Sequence, residues 1–302
     1  MDVLPAKSAW SNLLRLIRPH QWTKNGFVFI GVVFSGQWHV AGLGAALLAF
    51  AAFCAMASAV YVLNDLFDIE ADRRHPKKRH RPLASGAIGL HSAGWLLAGL
   101  ATLAILLAWF AGPWVLVFVL AYLLMNIGYS WRWKHLVIID VFIISLGFML
   151  RILAGTVGLG IEPSSWLLLC GFMLTLFLGF GKRCAELLAI QNASRSGDAP
   201  TRIVLDHYND RLVDQFMTLT AACTVLAYSL YTVDQHTVQT HGTAALLYTV
   251  PFVAYGVLRY LYLLHFKECG NDTARDLYTD SHLLLTVLAW IAASGAILYF
   301  RP

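Results

Sequence analysis

The sequence predicts an all-α, polytopic membrane protein that forms a single integral-membrane domain over residues 1–302. Of these residues 58% are hydrophobic and 13% are charged, and the mean hydropathy is +0.63, which is too apolar for a water-soluble domain. The apolar residues also gather in nine runs, each near the length that a helix needs to cross a bilayer. Nine transmembrane helices are therefore expected, at residues 25–40, 44–66, 92–110, 113–130, 136–158, 164–184, 214–233, 243–265 and 282–300.

The distribution of Lys and Arg predicts the orientation of these helices. With nine spans, the N-terminus and the even-numbered loops share one side, and that side holds twenty of the twenty-two Lys and Arg residues. The positive-inside rule places it in the cytoplasm. The expected location is the bacterial inner (cytoplasmic) membrane. The net charge of +5 then describes a basic face suited to anionic lipids or phosphorylated substrates, and no nucleic-acid partner is expected.

The first 24 residues predict an amphipathic segment at the membrane surface. Leu14 and Ile17 alternate with basic residues in WSNLLRLIRPHQWTK, the pattern of a short interfacial helix. Arg18 and Lys24 come after these apolar residues in the sequence. They either belong to this surface segment or reach a substrate phosphate from above, and the sequence leaves both interpretations open.

An acidic motif marks the end of the second expected span, in VLNDLFDIEADRRHPKKRHRPLASG at residues 62–86. Asn64, Asp65, Asp68 and Asp72 follow one another at helical spacing, so the three carboxylates are expected on one helical face. Carboxylates stacked in this way repel one another and are costly to desolvate at a membrane helix end. A cation is therefore expected beside them.

Mg²⁺ is the cation that this motif favours. It prefers oxygen ligands and is usually completed by water and substrate phosphates. The cytoplasmic loop expected at residues 73–91 then supplies phosphate-binding donors. They are Arg73, Arg74, Lys77, Lys78, Arg79 and Arg81. The pairing predicts a metal–diphosphate site. The alternative is a set of surface ion pairs that caps a loop, which does not require three acids on one face.

A second polar element, YSWRWKHLVIIDV, joins the fourth and fifth spans. Tyr129 can donate a hydrogen bond to a substrate oxygen, and Lys134 or Arg132 can pair with a phosphate. The alternative is a Trp–Lys interfacial anchor. Asp140 follows about one turn inside the membrane, where an unpaired acid is costly, so it is expected to serve the site or to pair with a buried cation.

Arg151 lies deeper in the fifth span, within LGFMLRILAG. An arginine inside a membrane needs an acidic partner or a substrate anion. Asp140 is three turns away on roughly the same side, which makes a direct pair between them less favourable on reach. A substrate anion is therefore the expected partner of Arg151.

The sixth span ends in the charged sequence FLGFGKRCAELLAIQ. Lys182 and Glu186 are four residues apart and share a helical face, with Arg183 beside them. A stop-transfer cluster would explain the two cations, but it would not require Glu186. The polar residues 191–211 are expected to form a second cytoplasmic loop.

The motif Asn64-Asp65-x-x-Asp68-x-x-x-Asp72, the Tyr129/Lys134 element and the nine spans together resemble the UbiA superfamily of intramembrane prenyltransferases. The resemblance covers the whole chain. It implies helices around a central cavity, a cytoplasmic mouth where acidic motifs hold Mg²⁺ and a diphosphate, and a lateral opening through which an isoprenoid reaches the bilayer.

One departure from the common pattern points to a branch of this superfamily. Where most members carry a second Asp-x-x-x-Asp motif, this chain has Gly181-Lys182-Arg183-x-x-Glu186. With RPHQWTKN at 18–25, DRRHPKKRHRPLASG at 72–86 and GFMLRILAG around Arg151, it looks like the decaprenyl-phosphate phosphoribosyltransferases. The resemblance implies Mg²⁺-dependent transfer of 5-phosphoribose from phosphoribosyl pyrophosphate to a polyprenyl phosphate. The products would be pyrophosphate and polyprenylphosphoryl-5-phosphoribose.

The resemblance also implies roles for individual residues. Asp65, Asp68 and Asp72, with Asn64, would hold Mg²⁺ against the pyrophosphate. Tyr129 and Lys182 join these acids as expected catalytic residues. The candidates for the diphosphate or the sugar 5-phosphate are Arg73, Lys78, Arg79 and Arg81. The candidates for the lipid phosphate are Lys134, Arg151, Lys182 and Arg183. The rest of the expected substrate-binding set is Arg18, Lys24, Asp140 and Glu186, the last at the metal or a ribose hydroxyl.

Two other functions compete with this interpretation. A conventional UbiA-type enzyme would use an allylic polyprenyl diphosphate and a lipophilic acceptor, and the missing second Asp motif argues against it. A non-enzymatic lipid-binding protein or transporter would in many cases show an inverted repeat, which this sequence does not display. The expected partners are phosphoribosyl pyrophosphate, a polyprenyl phosphate and the lipid bilayer, and a homo-oligomer is compatible with the sequence.

Overall fold

The computed structural model describes residues 9–35, 40–75, 78–195, 208–266 and 279–300, which form helices joined by turns. Short 3-10 turns lie at Lys78–His80, Trp133–His135, Val157–Leu159 and Ala245–Thr249, and a longer 3-10 helix at Pro19–Phe29. The α-helices are α1 Ala9–Ile17, α2 Ile30–Ser35, α3 Val40–Phe67, α4 Ile69–Arg74, α5 Leu90–Ala111, α6 Pro113–Trp131, α7 Ile139–Gly155, α8 Ser165–Arg195, α9 Asp210–Val233, α10 Gln235–His241, α11 Val250–Phe266 and α12 Ser281–Tyr299.

Within the described residues, eight helical stretches are long and apolar enough to cross a membrane. They are Gly42–Phe67, Leu90–Ala111, Pro113–Trp131, Ile139–Leu159, Ser165–Leu188, Arg211–Val233, Ala245–Phe266 and Ser281–Tyr299. The chain is thus an all-helical, multi-pass membrane protein, as predicted. The span expected at 25–40 is not among the eight. Its described part comprises the end of the 3-10 helix and the six-residue α2, and residues 36–39 lie outside the described ranges. The count of nine stays a prediction.

The long helices pack into two groups with α7 between them. In the first group, α3 packs against α5 and α6 around buried Phe53 and Met56. In the second, α8 packs against α9 and α11 around buried Phe177 and Met217. Because α7 contacts both α6 and α8, its polar residues lie between the two groups.

The 3-10 helix and α2, which follows it directly, pack tightly against the end of α7. Beta-carbons at Gly31 and Gly155 would each overlap backbone atoms of the other element, Gly155 O for Gly31 and Val28 O for Gly155. Nearer the start of the 3-10 helix, Trp22 Nε1 donates to Ser58 Oγ of α3 at 3.0 Å. The segment is therefore held against both α3 and α7.

Helix α1 is amphipathic, and its apolar side packs onto protein. Leu16 is fully buried in a cluster with Val62 and Leu83, whereas Trp10 is 68% exposed. The Ile17 carbonyl accepts a hydrogen bond from Ser58 Oγ at 2.8 Å. One face of the predicted surface segment thus contacts α3.

The two expected cytoplasmic loops begin later than the sequence pattern indicated. Helix α4 continues to Arg74, and α5 begins at Leu90, close to the expected end at residue 91. Helix α8 continues to Arg195, so residues 191–195 are helical, and residues 196–207 lie outside the described ranges.

Candidate functional site

Two carboxylates at the end of α3 and in α4 converge on one guanidinium. Arg81 Nη1 lies 2.7 Å from Asp72 Oδ2 and 3.1 Å from Asp65 Oδ1. Arg18 Nη2 also donates to Asp65 Oδ1, at 2.6 Å. Both acids are 3% exposed, so these ion pairs balance charges that are removed from solvent.

The backbone at Arg18 is arranged for this contact. Arg18 has φ 51° and ψ 61°, a left-handed conformation that residues other than Gly rarely adopt, and Pro19 follows it. Its guanidinium also lies over the Tyr61 ring, 4.9 Å from the centroid. A residue held in such a conformation is stabilised by its surroundings, and here these are the Asp65 carboxylate and an aromatic face.

Asp68 pairs with a different cation from its two neighbours. Lys134 Nζ lies 2.5 Å from Asp68 Oδ1, and Ser130 Oγ of α6 contacts Asn64 Oδ1. The expectation of one acidic face is therefore only partly met, because Asp65 and Asp72 face Arg18 and Arg81 while Asp68 faces the turn after α6. The helix is interrupted at this point, since α3 ends at Phe67 and α4 begins at Ile69.

The six charged residues of these contacts are called here the α3 charge cluster: Arg18, Asp65, Asp68, Asp72, Arg81 and Lys134. A cavity of about 580 Å³ opens beside it, between α1 and the turn that follows residue 78. Arg15 lines this cavity and donates to His80 O at 3.1 Å. The cavity is lined by Trp10, Ser11, Leu14, Arg15, Arg18, His20, Asp65, Arg81 and Pro82. It offers both acidic and basic groups to a ligand.

A second polar group lies between α7 and α8. Arg183 and Asp140 are fully buried, with Arg183 Nε 3.5 Å from Asp140 Oδ2. Arg183 Nη1 also lies 2.5 Å from Glu186 Oε2. Tyr208, which precedes α9, donates to Asp140 Oδ1 at 3.0 Å. Asp140 is thus paired with a buried cation, one of its two expected situations.

Burial raises the pKa of the Tyr208 hydroxyl, and the adjacent Asp140 carboxylate raises it further. The hydroxyl therefore keeps its proton at neutral pH and can donate to Asp140.

Arg151 is held by protein groups. Its Nε donates to Asn25 Oδ1 at 2.6 Å, Nη1 to Gly147 O at 2.6 Å and Nη2 to Tyr122 OH at 3.2 Å. The guanidinium also lies over the rings of Phe53, Tyr122 and Phe148. Carbonyl dipoles and aromatic faces surround this buried cation. The Asp140 carboxylate, by contrast, contacts Arg183.

The remaining predicted residues differ in exposure. Tyr129, Lys24 and Lys182 are half-buried, on α6, the 3-10 helix and α8 respectively. Lys78 and Arg79 are exposed, and so is Arg73, which donates to Glu70 Oε1 at 2.9 Å and to Ala84 O at 3.3 Å. The structure thus brings Arg18, Arg81 and Lys134 onto the acids, and it places Arg73 beside its own helix and the following loop.

The donor set beside Arg81 suits a hard cation. Asp65 and Asp72 already place one oxygen each around a single positively charged nitrogen, and Mg²⁺ takes few protein carboxylates together with water and phosphate. Among the described residues, His, Cys, Asp and Glu do not gather in groups of three that could hold a metal by themselves. A metal here would therefore share its coordination with a ligand.

Sequence reasoning missed four polar residues of these groups. Asn25 and Tyr122 bind Arg151, Ser130 contacts Asn64, and Tyr208 binds Asp140. Asn25 carried a usable signal, because an amide at the start of an expected membrane span is expected to have a polar partner. Tyr208 carried none, since it lies in a polar stretch where tyrosine is ordinary.

The family profile of UbiA prenyltransferases ("UbiA prenyltransferase family") matches residues 26–279. The chain belongs to this family. The resemblance drawn from the motifs is therefore confirmed, and the protein is a transferase by class.

Relatives of this UbiA-family protein match almost its whole length. A decaprenyl-phosphate phosphoribosyltransferase of Corynebacterium glutamicum is 34% identical, over 99% of this chain and 90% of that protein. The enzymes of the same name from Mycolicibacterium smegmatis and Mycobacterium tuberculosis are 33% and 32% identical, each over 98% of this chain and at least 95% of their own length. The resemblance to this branch is thus also confirmed.

Solved structures agree on the fold. A UbiA homologue from Archaeoglobus fulgidus bound to GPP and Mg²⁺ superimposes with a TM-score of 0.71, over 95% of this chain and 99% of that one, at 19% identity. The same homologue bound to DMAPP and Mg²⁺ gives a TM-score of 0.70. At this identity the likeness concerns the arrangement of helices.

Proposed function

We propose that this UbiA-family protein transfers 5-phosphoribose from phosphoribosyl pyrophosphate to a polyprenyl phosphate. The bond between ribose C1 and the pyrophosphate oxygen breaks, and pyrophosphate leaves with the electron pair. An oxygen of the lipid phosphate forms the new bond to C1. This oxygen is ionised at neutral pH, so the reaction needs no general base. The names of the relatives, at 32–34% identity, support this assignment.

The observation that carries the proposal is the mixed charge of the α3 charge cluster. Three acids suited to a metal–diphosphate lie among three cations suited to phosphate oxygens, beside a cavity of about 580 Å³. A donor such as phosphoribosyl pyrophosphate carries both a diphosphate and a separate phosphate, so it can use both kinds of group. Positioning and charge neutralisation then account for most of the catalysis.

Asp65, Asp72 and Asp68 are the proposed Mg²⁺ ligands, with Asn64 beside them. When bound, Mg²⁺ would neutralise negative charge on the pyrophosphate leaving group. Arg81 and Arg18 would then turn from the carboxylates to the donor's phosphate oxygens. A phosphate group carries more negative charge than a single carboxylate, so it attracts a guanidinium more strongly.

Lys134 and Lys182 are proposed for the lipid phosphate, since both are partly accessible. Tyr129 lies beside Ser130 on α6 and is proposed to donate to a substrate oxygen. Arg183 and Arg151 are buried in protein contacts, so we assign them to the framework of the site in place of the direct substrate contact expected from the sequence. Glu186 would contact the metal or a ribose hydroxyl.

We further propose the inner membrane as the location, with the α3 charge cluster at the cytoplasmic face, because that side collects the basic residues. A ninth span near residues 25–40 would accompany the eight described here. The polyprenyl chain would leave the site sideways between helices into the bilayer.

The test is an incubation of the purified protein with labelled phosphoribosyl pyrophosphate, Mg²⁺ and decaprenyl phosphate, followed by organic extraction. Label is expected in the lipid phase, and it should be lost with EDTA and with Asp68→Asn. Glu70→Gln is the matched control, because Glu70 lies two residues further along with a side chain that is 74% exposed. Its activity should equal that of the wild type.

Two results would contradict different parts of this proposal. A fully active Asp68→Asn variant would remove this acid from the site. A preparation that leaves phosphoribosyl pyrophosphate intact but consumes an allylic diphosphate would assign the protein to the conventional prenyltransferases.

A further inference from the structure

Tyr208 lies at the junction of three elements of the site. Its side chain precedes α9 and is 5% exposed. The next residue, Asn209, caps the helix, accepting a hydrogen bond from Leu212 N at 2.7 Å. The start of α9 is therefore well anchored, and Tyr208 extends from it into the space between α7 and α8.

The Tyr208 hydroxyl makes two hydrogen bonds in opposite senses. It accepts from the backbone N–H of Ile138 at 2.6 Å and donates to Asp140 Oδ1 at 3.0 Å. Both partners belong to the start of α7. A phenylalanine at this position would fill the same space but would leave the Ile138 N–H and a buried Asp140 oxygen without this partner.

The first bond supports a strained turn. Ile138 has φ 68°, and a β-branched residue with positive φ is an outlier that its surroundings must stabilise. This turn follows the 3-10 turn at Trp133–His135. Lys134 belongs to that 3-10 turn, and its Nζ lies 2.5 Å from Asp68 Oδ1. The position of the Lys134 ammonium therefore depends on how the chain is held at Ile138.

The second bond leads to α8. Asp140 pairs with Arg183, and Arg183 pairs with Glu186, whose side chain is 21% exposed. The contacts thus run from Tyr208 through two fully buried charges to a partly accessible carboxylate. A single hydroxyl links the cation that faces Asp68 with the acid on α8.

We propose that Tyr208 is a positioning residue, whose hydroxyl sets the Lys134 turn and the Asp140–Arg183–Glu186 chain relative to each other. The kinetic part of this inference rests on the proposed function. Tyr208 contacts neither substrate in this role and acts through Lys134 and Glu186.

The first measurement is independent of activity. Hydrogen exchange of the Ile138 amide should be slow in the wild-type protein, and Tyr208→Phe should accelerate it by about tenfold, the effect of losing one hydrogen bond. Tyr255→Phe is the matched control, because Tyr255 is 46% exposed and its hydroxyl lies 3.4 Å from His282. It should leave the exchange of Ile138 unchanged.

The second measurement is a double-mutant cycle on phosphoribosyl transfer. Tyr208→Phe should lower kcat by about tenfold in the wild-type background, and by a clearly smaller factor in the Lys134→Gln background, where no ammonium remains to be positioned and only the contacts through Glu186 still depend on Tyr208. A purely structural role would lower kcat equally in both backgrounds.

Fast hydrogen exchange of the Ile138 amide in the wild-type protein would overturn the proposal, even if Tyr208→Phe fails to fold. An equal loss of kcat in the wild-type and Lys134→Gln backgrounds would overturn it as well. A wild-type protein without transfer activity overturns the proposed function instead. The exchange of Ile138 then still decides whether Tyr208 holds this turn.

Discussion

Arg81 Nη1 lies 2.7 Å from Asp72 Oδ2, and the same nitrogen bonds Asp65. The guanidinium therefore occupies the position between two buried carboxylates that a metal ion would also favour. This geometry gives Arg81 two proposed tasks: it keeps the acids compatible with burial before the ligand arrives, and it becomes a phosphate ligand when the metal binds.

Arg81→Ala should lower kcat/KM for phosphoribosyl pyrophosphate by about 10–150-fold, the range that corresponds to losing a charge-assisted hydrogen bond of about 1.5–3 kcal/mol. The variant should also gain more thermal stability from Mg²⁺ than the wild type does, because two carboxylates have lost a counterion. Steady-state kinetics and thermal unfolding with and without Mg²⁺ measure the two effects.

Arg79→Ala is the control for this prediction. The sequence made Arg79 a phosphate candidate as well, but it is two residues away and exposed, with its Nε 3.4 Å from His80 Nε2, and it does not belong to the α3 charge cluster. It should retain wild-type kinetics. Equal losses in both variants would show that the whole basic loop attracts the substrate and that Arg81 has no special place in it.

The sequence was sufficient for the fold class and for the proximity of Asp65 and Asp72. Long apolar runs define membrane helices because the backbone must satisfy its hydrogen bonds internally, and eight of nine expected spans appear as such helices. Acids at helical spacing likewise place Asp65 and Asp72 together, since seven residues make almost two full turns.

The pairing of charges could not be predicted from the same information. Arg151 was expected to bind a substrate anion because a buried cation needs a partner, and the family resemblance implied a lipid-phosphate role for Arg183. Their partners in the structure come from residues far along the chain: Arg151 contacts Asn25, and Arg183 contacts Asp140. Helical periodicity reports which residues share a face. It does not report which face of another helix lies opposite.

Arg151→Met should destabilise the protein. The substitution keeps an apolar stem but leaves Asn25 Oδ1 and the Tyr122 hydroxyl without their donor, and each unpaired buried polar group costs about 1–3 kcal/mol. Thermal unfolding in detergent, followed by tryptophan fluorescence, should show a lower Tm. The KM for decaprenyl phosphate should stay unchanged in the folded fraction.

The exposed Arg132, at the end of α6, provides the control Arg132→Met, for which the wild-type Tm is expected. If Arg151→Met instead kept its Tm and raised the KM for the lipid, Arg151 would be a lipid-phosphate ligand after all.

Gly155→Ala should disrupt the packing between α7 and the 3-10 helix. A β-carbon at position 155 would overlap Val28 O, a backbone atom that cannot rotate away. Overpacking of this kind costs about 1–3 kcal/mol, so a lower Tm is expected. Because the displaced segment also carries Arg18, which reaches Asp65 at 2.6 Å, kcat/KM for phosphoribosyl pyrophosphate should fall as well.

Gly99→Ala separates this effect from the general consequences of changing a helical glycine. Gly99 lies within α5, and a β-carbon there would meet nothing within 4 Å. Alanine should leave this helix unchanged or stabilise it by about 0.5–1 kcal/mol. If Gly155→Ala matched Gly99→Ala in Tm and in kcat/KM, the segment would tolerate displacement from α7, and the contact between Arg18 and Asp65 would not depend on that packing.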